Sequence, residues 1–400
     1  MRTPVPDYLQ EVLDDCGAST DGAVADYIPE LAAADPDRLA VAVASLEGPV
    51  HAAGDADVRF TIQSISKPFA YALALRDRGL DRVLESVGVE PSGDAFNEIS
   101  LEPDTGRPRN PMINVGAIVT HSLVGDPGLT PDERDAATIE GLSAFAARPL
   151  EVDEAVFASE METAHRNLAL GHLVRGNGIV QEDPVRLVEG YTRQCSLAVD
   201  VRDLAVMAAT LANGGINPVS GEEVVPPCVA RQTLSVMATC GMYDAAGDWF
   251  TSVGIPAKSG VAGGIIGALP GQVGLGVFSP RLDRFGNSAR GVDVCQRLSR
   301  DMGMHVMAAP ATSANVIRRH EVVDGRTILE LQGAIHYAAA EHVLRVMETI
   351  EPGSGPILLD LSRVTDVNDV GGRMAEEGVR RLELDGHDVE VVTPEHLGRS

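Results

Sequence analysis

The chain has 400 residues, of which 44% are hydrophobic and 22% are charged. This mixture is typical of globular proteins and excludes a largely disordered or fibrous chain, and the length predicts two or three domains. With 32 basic and 58 acidic residues, the formal net charge is −26, and so much negative charge is repelled by phosphate backbones and anionic lipids. We therefore expect no nucleic-acid partner and no membrane association.

The cysteines and the N-terminal segment indicate a reducing compartment. Five cysteines occur without a Cys-x-x-Cys pair: Cys16, Cys195, Cys228, Cys240 and Cys295. Their odd number and wide spacing predict free thiols rather than a disulfide framework or a metal site. Residues 1–10 carry two prolines and an aspartate where a secretory signal needs a basic start and an apolar run. We expect a cytoplasmic protein.

The predicted elements of the first three quarters of the chain belong to one domain, which we place at residues 1–307. Amphipathic runs at residues 69–84 and 201–212 predict helices. Residues 259–280 lack charge over about the length of a membrane span, but a proline, a glutamine and many glycines predict strands and turns there. Residues 308–315 combine small residues with one proline and have no apolar period, which predicts a linker.

The last part of the chain, residues 316–400, alternates between strand and helix patterns. The predicted elements are strands at 327–332, 356–361 and 388–393 and helices at 337–350 and 373–384. This alternation is typical of a small α/β domain. We therefore expect a second domain after the linker.

Lysine is rare in this chain, and its two occurrences define the candidate site. The 32 basic residues comprise thirty arginines and two lysines, Lys67 and Lys258. Arginine stays protonated at any relevant pH, whereas burial or a neighbouring cation lowers the pKa of a lysine until the amine acts as a base. The alternative explanation is a general depletion of lysine that left two residues at random positions. The residues around each lysine decide between a chemical role and this chance survival.

Lys67 follows a serine by three residues. The segment QSISKP at 63–68 precedes an apolar run, and because proline is tolerated in a first helical turn, we predict a helix that begins near Ser64. Ser64 and Lys67 then share one face of that turn, within hydrogen-bonding range, in the Ser-x-x-Lys arrangement of serine nucleophiles. Taken alone, the pair also fits a capping serine beside a surface lysine.

Lys258 lies in a second motif, which also occurs in enzymes that use a serine nucleophile. The segment KSGVAGG at 258–264 is similar to the Lys-[Ser/Thr]-Gly strand that supplies an oxyanion donor beside an active serine. We expect Gly260 to let the backbone approach a substrate, and the ammonium of Lys258 to lower the pKa of Lys67 by repulsion. Together the two lysine motifs point to one acyl-transfer site.

The segments around these motifs resemble the serine-dependent glutaminase family over about residues 9–307. The similar segments read GAVADYIP at 22–29, QSISK at 63–67, NPMINVGAI at 110–118, SE at 159–160, RN at 166–167, YTRQCS at 191–196, CGMYD at 240–244, AKSGVAGG at 257–264, FSP at 278–280 and GNS at 286–288. The resemblance implies an α/β domain like that of β-lactamases and penicillin-binding proteins, with an antiparallel sheet and helices. It also implies hydrolysis of L-glutamine to L-glutamate and ammonia.

The resemblance further implies which residues contact a free amino acid. Glu160 is expected to pair with the substrate ammonium, and Asn114 and Asn167 to donate to its carboxylate. Tyr27 and Tyr191 are expected to line the pocket. A site of this kind recognises small amino acids.

The expected chemistry uses Ser64 as nucleophile and neutral Lys67 as its base, with Tyr243 as a proton shuttle and Lys258 nearby. The oxyanion is expected between the backbone N–H groups of Ser64 and Val261. This mechanism requires no metal and no organic cofactor. We expect the enzyme to be a homo-oligomer, either a dimer or a tetramer.

Residues 316–400 resemble a STAS domain, the fold of anti-sigma-factor antagonists, most clearly in DLSRVTDV at 360–367. In the signalling members a phosphorylated serine follows this segment. Here Asp369 occupies that place, which argues against a kinase switch. The domain is interpreted either as a docking or oligomerisation module or as a regulatory site for a partner or ligand.

Two other functions stay open at this point. A β-lactamase-type serine amidase is disfavoured because no convincing Ser-x-Asn motif and no export signal are present. The other alternative is a degenerate enzyme domain whose STAS domain acts through protein binding. The complete motifs around Ser64, Lys67, Glu160 and Lys258 argue against such decay.

Overall fold

The polypeptide folds into two compact units. The computed structural model describes residues 3–92, 100–308 and 316–393. One unit comprises Leu13–Cys295, and the other comprises Met1–Val12 with Gln296–Ser400. Except for Ala308, the linker predicted at 308–315 lies outside the described residues.

Helices make up most of the regular secondary structure before residue 303. Those of the described residues are α1 (Val5–Cys16), α2 (Pro29–Ala32), α3 (Ser66–Arg78), α4 (Leu80–Ser86), α5 (Asn114–His121), α6 (Pro131–Ala146), α7 (Glu154–Glu162), α8 (His165–Gly176), α9 (Pro184–Cys195), α10 (Val201–Ala212), α11 (Pro227–Cys240), α12 (Ala246–Ser252) and α13 (Ala289–Met302), with 3-10 helices at Gln63–Ile65 and Tyr243–Ala245. Four of them have an N-cap residue whose side chain accepts a hydrogen bond from a backbone N–H of the first turn. These N-caps are Thr130, Asp153, Asp183 and Asp200.

Antiparallel strands form the sheets of the larger unit. They are β1 (Ala40–Ser45), β2 (Val50–Gly54), β3 (Phe60–Thr61), β4 (Glu151–Val152), β5 (Leu197–Val199), β6 (Ala257–Ser259), β7 (Gly264–Leu269) and β8 (Val273–Phe278). A five-stranded sheet has the order β2-β1-β8-β7-β6, and a small sheet has the order β3-β5-β4. The fold is therefore mixed α/β with antiparallel sheets. The expectation that residues 259–280 form strands and turns is confirmed.

Helix α10 lies against the five-stranded sheet at very short range. A Cβ atom at Gly274 would lie 2.2 Å from the Ala209 nitrogen, and one at Gly276 would lie 2.4 Å from the Val201 oxygen. Glycine on β8 is thus required for helix and sheet to meet. The prediction of a helix at 201–212 is confirmed.

The helix predicted at 69–84 is two helices. Gly79 adopts φ 77° and ψ 158°, which ends α3 and allows α4 to start in a new direction. Every residue from Ser66 to Leu75 is buried, so α3 is a central core helix and Phe69 packs on Phe145 with ring centroids 4.9 Å apart. The start of α3 is consequently held on all sides.

The smaller unit contains a four-stranded sheet of order β12-β11-β10-β9. Its elements are β9 (Ile317–Val323), β10 (Arg326–Ile335), α14 (Tyr337–Glu348), β11 (Ile357–Val367), α15 (Asp369–Leu384) and β12 (Val389–Val392). Strands β10, β11 and β12 are parallel and joined through α14 and α15, which pack on each other. The strands and helices predicted in this region are confirmed, and β9 adds an antiparallel edge strand that the sequence did not predict.

Ion pairs join α15 to the first turns of α1 within the smaller unit. Arg373 contacts Glu11 at 2.7 Å, and Arg381 contacts Asp7 at 2.8 Å. Asp369 is exposed in the first turn of α15, where Asn368 accepts the Gly371 N–H as the N-cap. None of the helices in the described ranges has the length and apolar character that crossing a bilayer requires.

Candidate active site

Ser64 lies in the 3-10 helix that leads directly into α3. It is 8% exposed and is preceded by Gln63, whose φ of 50° falls in the left-handed region. A non-glycine residue in this region costs of order 1–3 kcal/mol and persists only where its surroundings enforce it, often at active sites. The predicted helix start near Ser64 is therefore a 3-10 turn with a strained entry.

Lys67 is buried at the start of α3. Its Nζ donates to the Met112 carbonyl at 3.2 Å and to Asn114 Oδ1 at 2.7 Å. Burial lowers its pKa from 10.5 to about 8, against an opposing effect of the Cys195 thiol. In the described residues there is no direct hydrogen bond between Lys67 Nζ and Ser64 Oγ. Such contacts are often long before substrate binds.

Tyr243 joins Ser64 to the strand that carries Lys258. Its hydroxyl donates to the Ser259 carbonyl at 3.0 Å and is also hydrogen-bonded to Ser64. Because a phenol has one proton, the Ser64 hydroxyl is the donor in that second bond. Burial raises the pKa of Tyr243, and the bond from Ser64 opposes the effect. Like Gln63, Tyr243 has a left-handed backbone, with φ 53°.

Lys258 is fully buried behind Tyr243. Its Nζ donates to the Ser259 carbonyl at 2.7 Å and lies 4.0 Å from the centre of the Tyr243 ring. Burial, followed by repulsion from Lys67, lowers its pKa well below the ordinary value. Burial is the largest cause for both amines, and the expected repulsion between Lys67 and Lys258 adds to it.

Gly260 lies close to the turn that carries Ser64. A Cβ atom there would lie 3.0 Å from the Ile62 carbonyl and 3.2 Å from Ile65 Cγ1. Glycine lets the chain after β6 pass close to the turn that carries Ser64. The next residue, Val261, is partly buried and packs against the apolar cluster that contains Ile28.

Glu160 on α7 forms a second polar cluster that also reaches the nucleophile turn. Its Oε1 accepts from the Tyr27 hydroxyl at 2.8 Å and from Gln63 Nε2 at 3.1 Å. Burial raises the pKa of Glu160, while these two hydrogen bonds lower it. Tyr27 remains 47% exposed at the rim. Sequence reasoning missed Gln63 as a site residue, although its position directly before the nucleophile was a signal.

Asn114 and Asn167 meet beside Lys67. Asn114 is the first residue of α5, and its Nδ2 donates to Asn167 Oδ1 on α8 at 3.2 Å. Tyr191 on α9 is buried and hydrogen-bonded to Cys195, which contacts Ser66 Oγ at 3.7 Å. The expected asparagine pair is thus assembled around the amine of Lys67.

A cavity of about 380 Å³ adjoins the cluster. Its lining includes Tyr243, Asn110 and Met112, the residue whose carbonyl accepts from Lys67. This size is typical of small-molecule pockets. The described residues contain no group of three or more His, Cys, Asp or Glu side chains that could hold a metal ion. All five cysteines are free thiols, as predicted.

Comparison with known proteins shows which family this chain resembles. The family model described as Glutaminase matches residues 22–307. A protein named Glutaminase from Corynebacterium efficiens is 45% identical over 99% of this chain and 94% of its own. One named Glutaminase from Trichormus variabilis is 50% identical over 72% of this chain and 85% of its own.

Solved structures show the same relationship. A crystal structure of a protein called Mglu is 51% identical, covers 99% of both chains and superposes with a TM-score of 0.77. A structure described as the probable glutaminase ybaS is 36% identical, covers 76% of this chain and 99% of its own, and has a TM-score of 0.72. With the sequence match over most of its length and the shared fold, the chain belongs to the glutaminase family.

Proposed function

We propose that this glutaminase hydrolyses L-glutamine through a γ-glutamyl ester on Ser64, with Lys67 as the general base. One observation carries the proposal: the Ser64 hydroxyl is hydrogen-bonded to the Tyr243 hydroxyl, in a cluster that also holds two buried amines of lowered pKa. Buried titratable groups with shifted pKa values beside a nucleophile are typical of active sites.

Substrate recognition follows from the two polar clusters. The carboxylate of Glu160 suits the α-ammonium, and its contact with Tyr27 and Gln63 fixes its position. Asn114 and Asn167 offer amide donors to the α-carboxylate. The side-chain amide of glutamine then lies toward Ser64. Tyr191 closes the pocket through its ring.

The base is assigned by comparing two candidates. The Tyr243 hydroxyl accepts a hydrogen bond from Ser64. Its raised pKa keeps the phenol protonated, so Tyr243 does not act as a base. Lys67 has a pKa of about 8 and is neutral in a useful fraction of molecules near neutral pH. We assign to Lys67 the abstraction of the Ser64 proton. We assign to Tyr243 the transfer of a proton to the leaving nitrogen.

The first half-reaction forms the ester. Ser64 Oγ attacks the γ-carboxamide carbon while its proton passes to Lys67. The oxyanion lies between the backbone N–H groups of Ser64 and Val261, and each such donor is worth about 3 kcal/mol in the transition state. The C–N bond then breaks as the leaving nitrogen takes a proton through Tyr243, which releases ammonia.

The second half-reaction hydrolyses the ester by the same groups. A water molecule gives its proton to the amine and attacks the ester carbon, and Ser64 leaves with a proton from the same relay. Lys258 holds the Tyr243 ring and the Ser259 carbonyl in place through its two contacts. The proposed steps use only side chains and backbone groups of this chain.

An ammonia-release assay with glutamine and asparagine side by side tests the activity. We expect release from glutamine, and release from neither substrate contradicts the proposal. The β-lactamase-type alternative is tested with a β-lactam: stable acylation of Ser64 supports it, and no acylation excludes it. If the protein releases ammonia from neither substrate but residues 316–400 bind a partner protein, the degenerate-enzyme alternative is favoured.

The smaller unit supports a proposal of its own. Parallel strands joined by two helices, with Asp369 at the start of α15, fit the STAS-like interpretation. A glutaminase structure that covers 76% of this chain lacks a counterpart for the remaining quarter. We assign residues 316–400 to docking or oligomerisation in a cytoplasmic dimer or tetramer. If their deletion changes neither assembly, stability nor kinetics, this role and a regulatory role both fail.

A further inference from the structure

A buried chain of polar side chains lies behind the nucleophile and takes no part in the proposed reaction. Its members are Asp135 on α6, His121 on α5, Gln194 on α9 and Ser66 at the start of α3, each 7% exposed or less. Buried polar groups are costly unless every one is paired. Apolar side chains of similar volume would fill the same space without that cost.

The contacts along this chain are continuous. His121 Nε2 lies 3.1 Å from Asp135 Oδ1, and His121 Nδ1 lies 3.1 Å from Gln194 Oε1. Gln194 Nε2 donates to Ser66 Oγ at 3.0 Å, and Ser66 Oγ donates to the Gln63 carbonyl at 2.8 Å. The last acceptor belongs to the left-handed residue directly before Ser64.

The order of donors follows from the number of protons available. Ser66 has one hydroxyl proton, which it gives to Gln63, so its oxygen accepts from Gln194. The amide of Gln194 must then present its oxygen to His121, and Nδ1 of that ring carries a hydrogen. His121, Gln194 and Ser66 each donate one hydrogen toward Gln63, and reversing the Gln194 amide would leave the Gln63 carbonyl without its hydroxyl donor.

The surrounding helices leave space for the pair at the far end. A Cβ atom at Gly190 on α9 would lie 2.2 Å from Asp135 Oδ1 and 2.4 Å from His121 Nε2. Glycine in a helix interior costs about 1 kcal/mol relative to alanine. The charged group that faces the pair is Arg186, 3.7 Å from Asp135 Oδ2. Glycine at position 190 therefore makes room for the Asp135–His121 pair, although alanine there would stabilise the helix more.

We propose that Asp135, His121, Gln194 and Ser66 are positioning residues that hold Gln63 in its left-handed conformation and thereby place Ser64 Oγ for attack. The inference rests on the proposed role of Ser64. A displacement of a reacting atom by about 1 Å costs on the order of 100-fold in rate. These four hydrogen-bonded side chains supply the surroundings that strained Gln63 requires.

The decisive variant is Gln194→Glu, which keeps the shape of the side chain. A carboxylate accepts from both His121 and Ser66, so the Ser66 proton turns away from the Gln63 carbonyl while packing is retained. We expect kcat to fall by about 10- to 100-fold, with a similar fall in the rate at which a fluorophosphonate labels Ser64. Labelling, measured by mass spectrometry, needs no amino-acid recognition.

Two further variants separate positioning from stability. With Ser66→Ala in place, Gln194→Glu should have little additional effect, because the bond it redirects is already absent. Thr138→Val is the matched control, since Thr138 is buried on the same helix as Asp135 and its hydroxyl donates to the Arg134 carbonyl within that helix. It should keep both rates within about twofold of the parent.

The outcomes distinguish the two claims. Parent-like kcat and labelling in a folded Gln194→Glu protein, or rate losses that multiply independently in the double variant, overturn the positioning role and leave the proposed function intact. A parent protein that labels at Ser64 but releases no ammonia from glutamine overturns the proposed function, and the labelling rates of the variants still decide the positioning role. A melting temperature for each variant shows that it is folded.

Discussion

The burial of Lys67 predicts a specific pH dependence. A lysine with a pKa of about 8 is neutral in about one molecule in a hundred at pH 6 and in about half at pH 8. The neutral amine is the base, so activity must rise with pH, and kcat/KM should increase about 50-fold over that interval before levelling. A lysine at its ordinary value of 10.5 would instead give a tenfold rise per pH unit to beyond pH 9.

The assay is ammonia release from glutamine in buffers of constant ionic strength from pH 6 to 9. Lys67→Arg keeps the positive charge but removes the base, and its rate should be lower by about 10²-fold or more at every pH. A flat profile for the parent between pH 6 and 8 would refute the assignment of Lys67 as base. So would near-parental turnover in Lys67→Arg.

Lys258→Met separates the two causes of the low pKa. Since burial is the largest cause of the lowered pKa of Lys67, the midpoint of the profile should stay within about half a pH unit, although the rate falls. A midpoint that moves up toward the ordinary lysine value would show that repulsion from Lys258 sets it.

Three further changes test the site. Ser64→Ala should lower ammonia release by at least about 10³-fold at an unchanged melting temperature, while Ser235→Ala, on the outer face of α11, should act like the parent. Tyr243→Phe keeps the ring above Lys258 but removes the hydroxyl that contacts Ser64, so kcat in steady-state assays should fall about 10²-fold. Glu160→Gln should raise KM by about 30-fold and change kcat less, because a neutral amide replaces the partner of the ammonium; an unchanged KM would remove Glu160 from substrate binding.

Local sequence patterns predicted the elements with a clear apolar period. The helix at Val201–Ala212 has the predicted bounds because an aspartate caps it and an asparagine ends it. The break at Gly79 was missed, since the apolar pattern continues across it and only the backbone of the glycine changes direction. Strand β9 was missed because most of its residues are charged or exposed, as is usual at a sheet edge.

The candidate site was predictable where chemistry restricts the residue type. The rarity of lysine in a chain rich in arginine marked Lys67 and Lys258, both of which the structure buries, with Lys258 against the Tyr243 ring. The depth at which each amine is buried was not predictable, because it depends on tertiary packing. The left-handed backbone of Gln63 was also beyond the sequence, since the side chains that contact Gln63 and its neighbour Ser66 come from α7 and α9, which are distant in the chain.

The central claim is that Ser64 carries the glutamyl group during turnover. Acid quenching of the protein within the first turnover, followed by digestion and mass spectrometry, tests it directly. The account predicts a γ-glutamyl adduct on the peptide that contains Ser64, formed from glutamine and absent in Ser64→Ala. A glutamyl group found on another residue, or rapid turnover by Ser64→Ala, would contradict it.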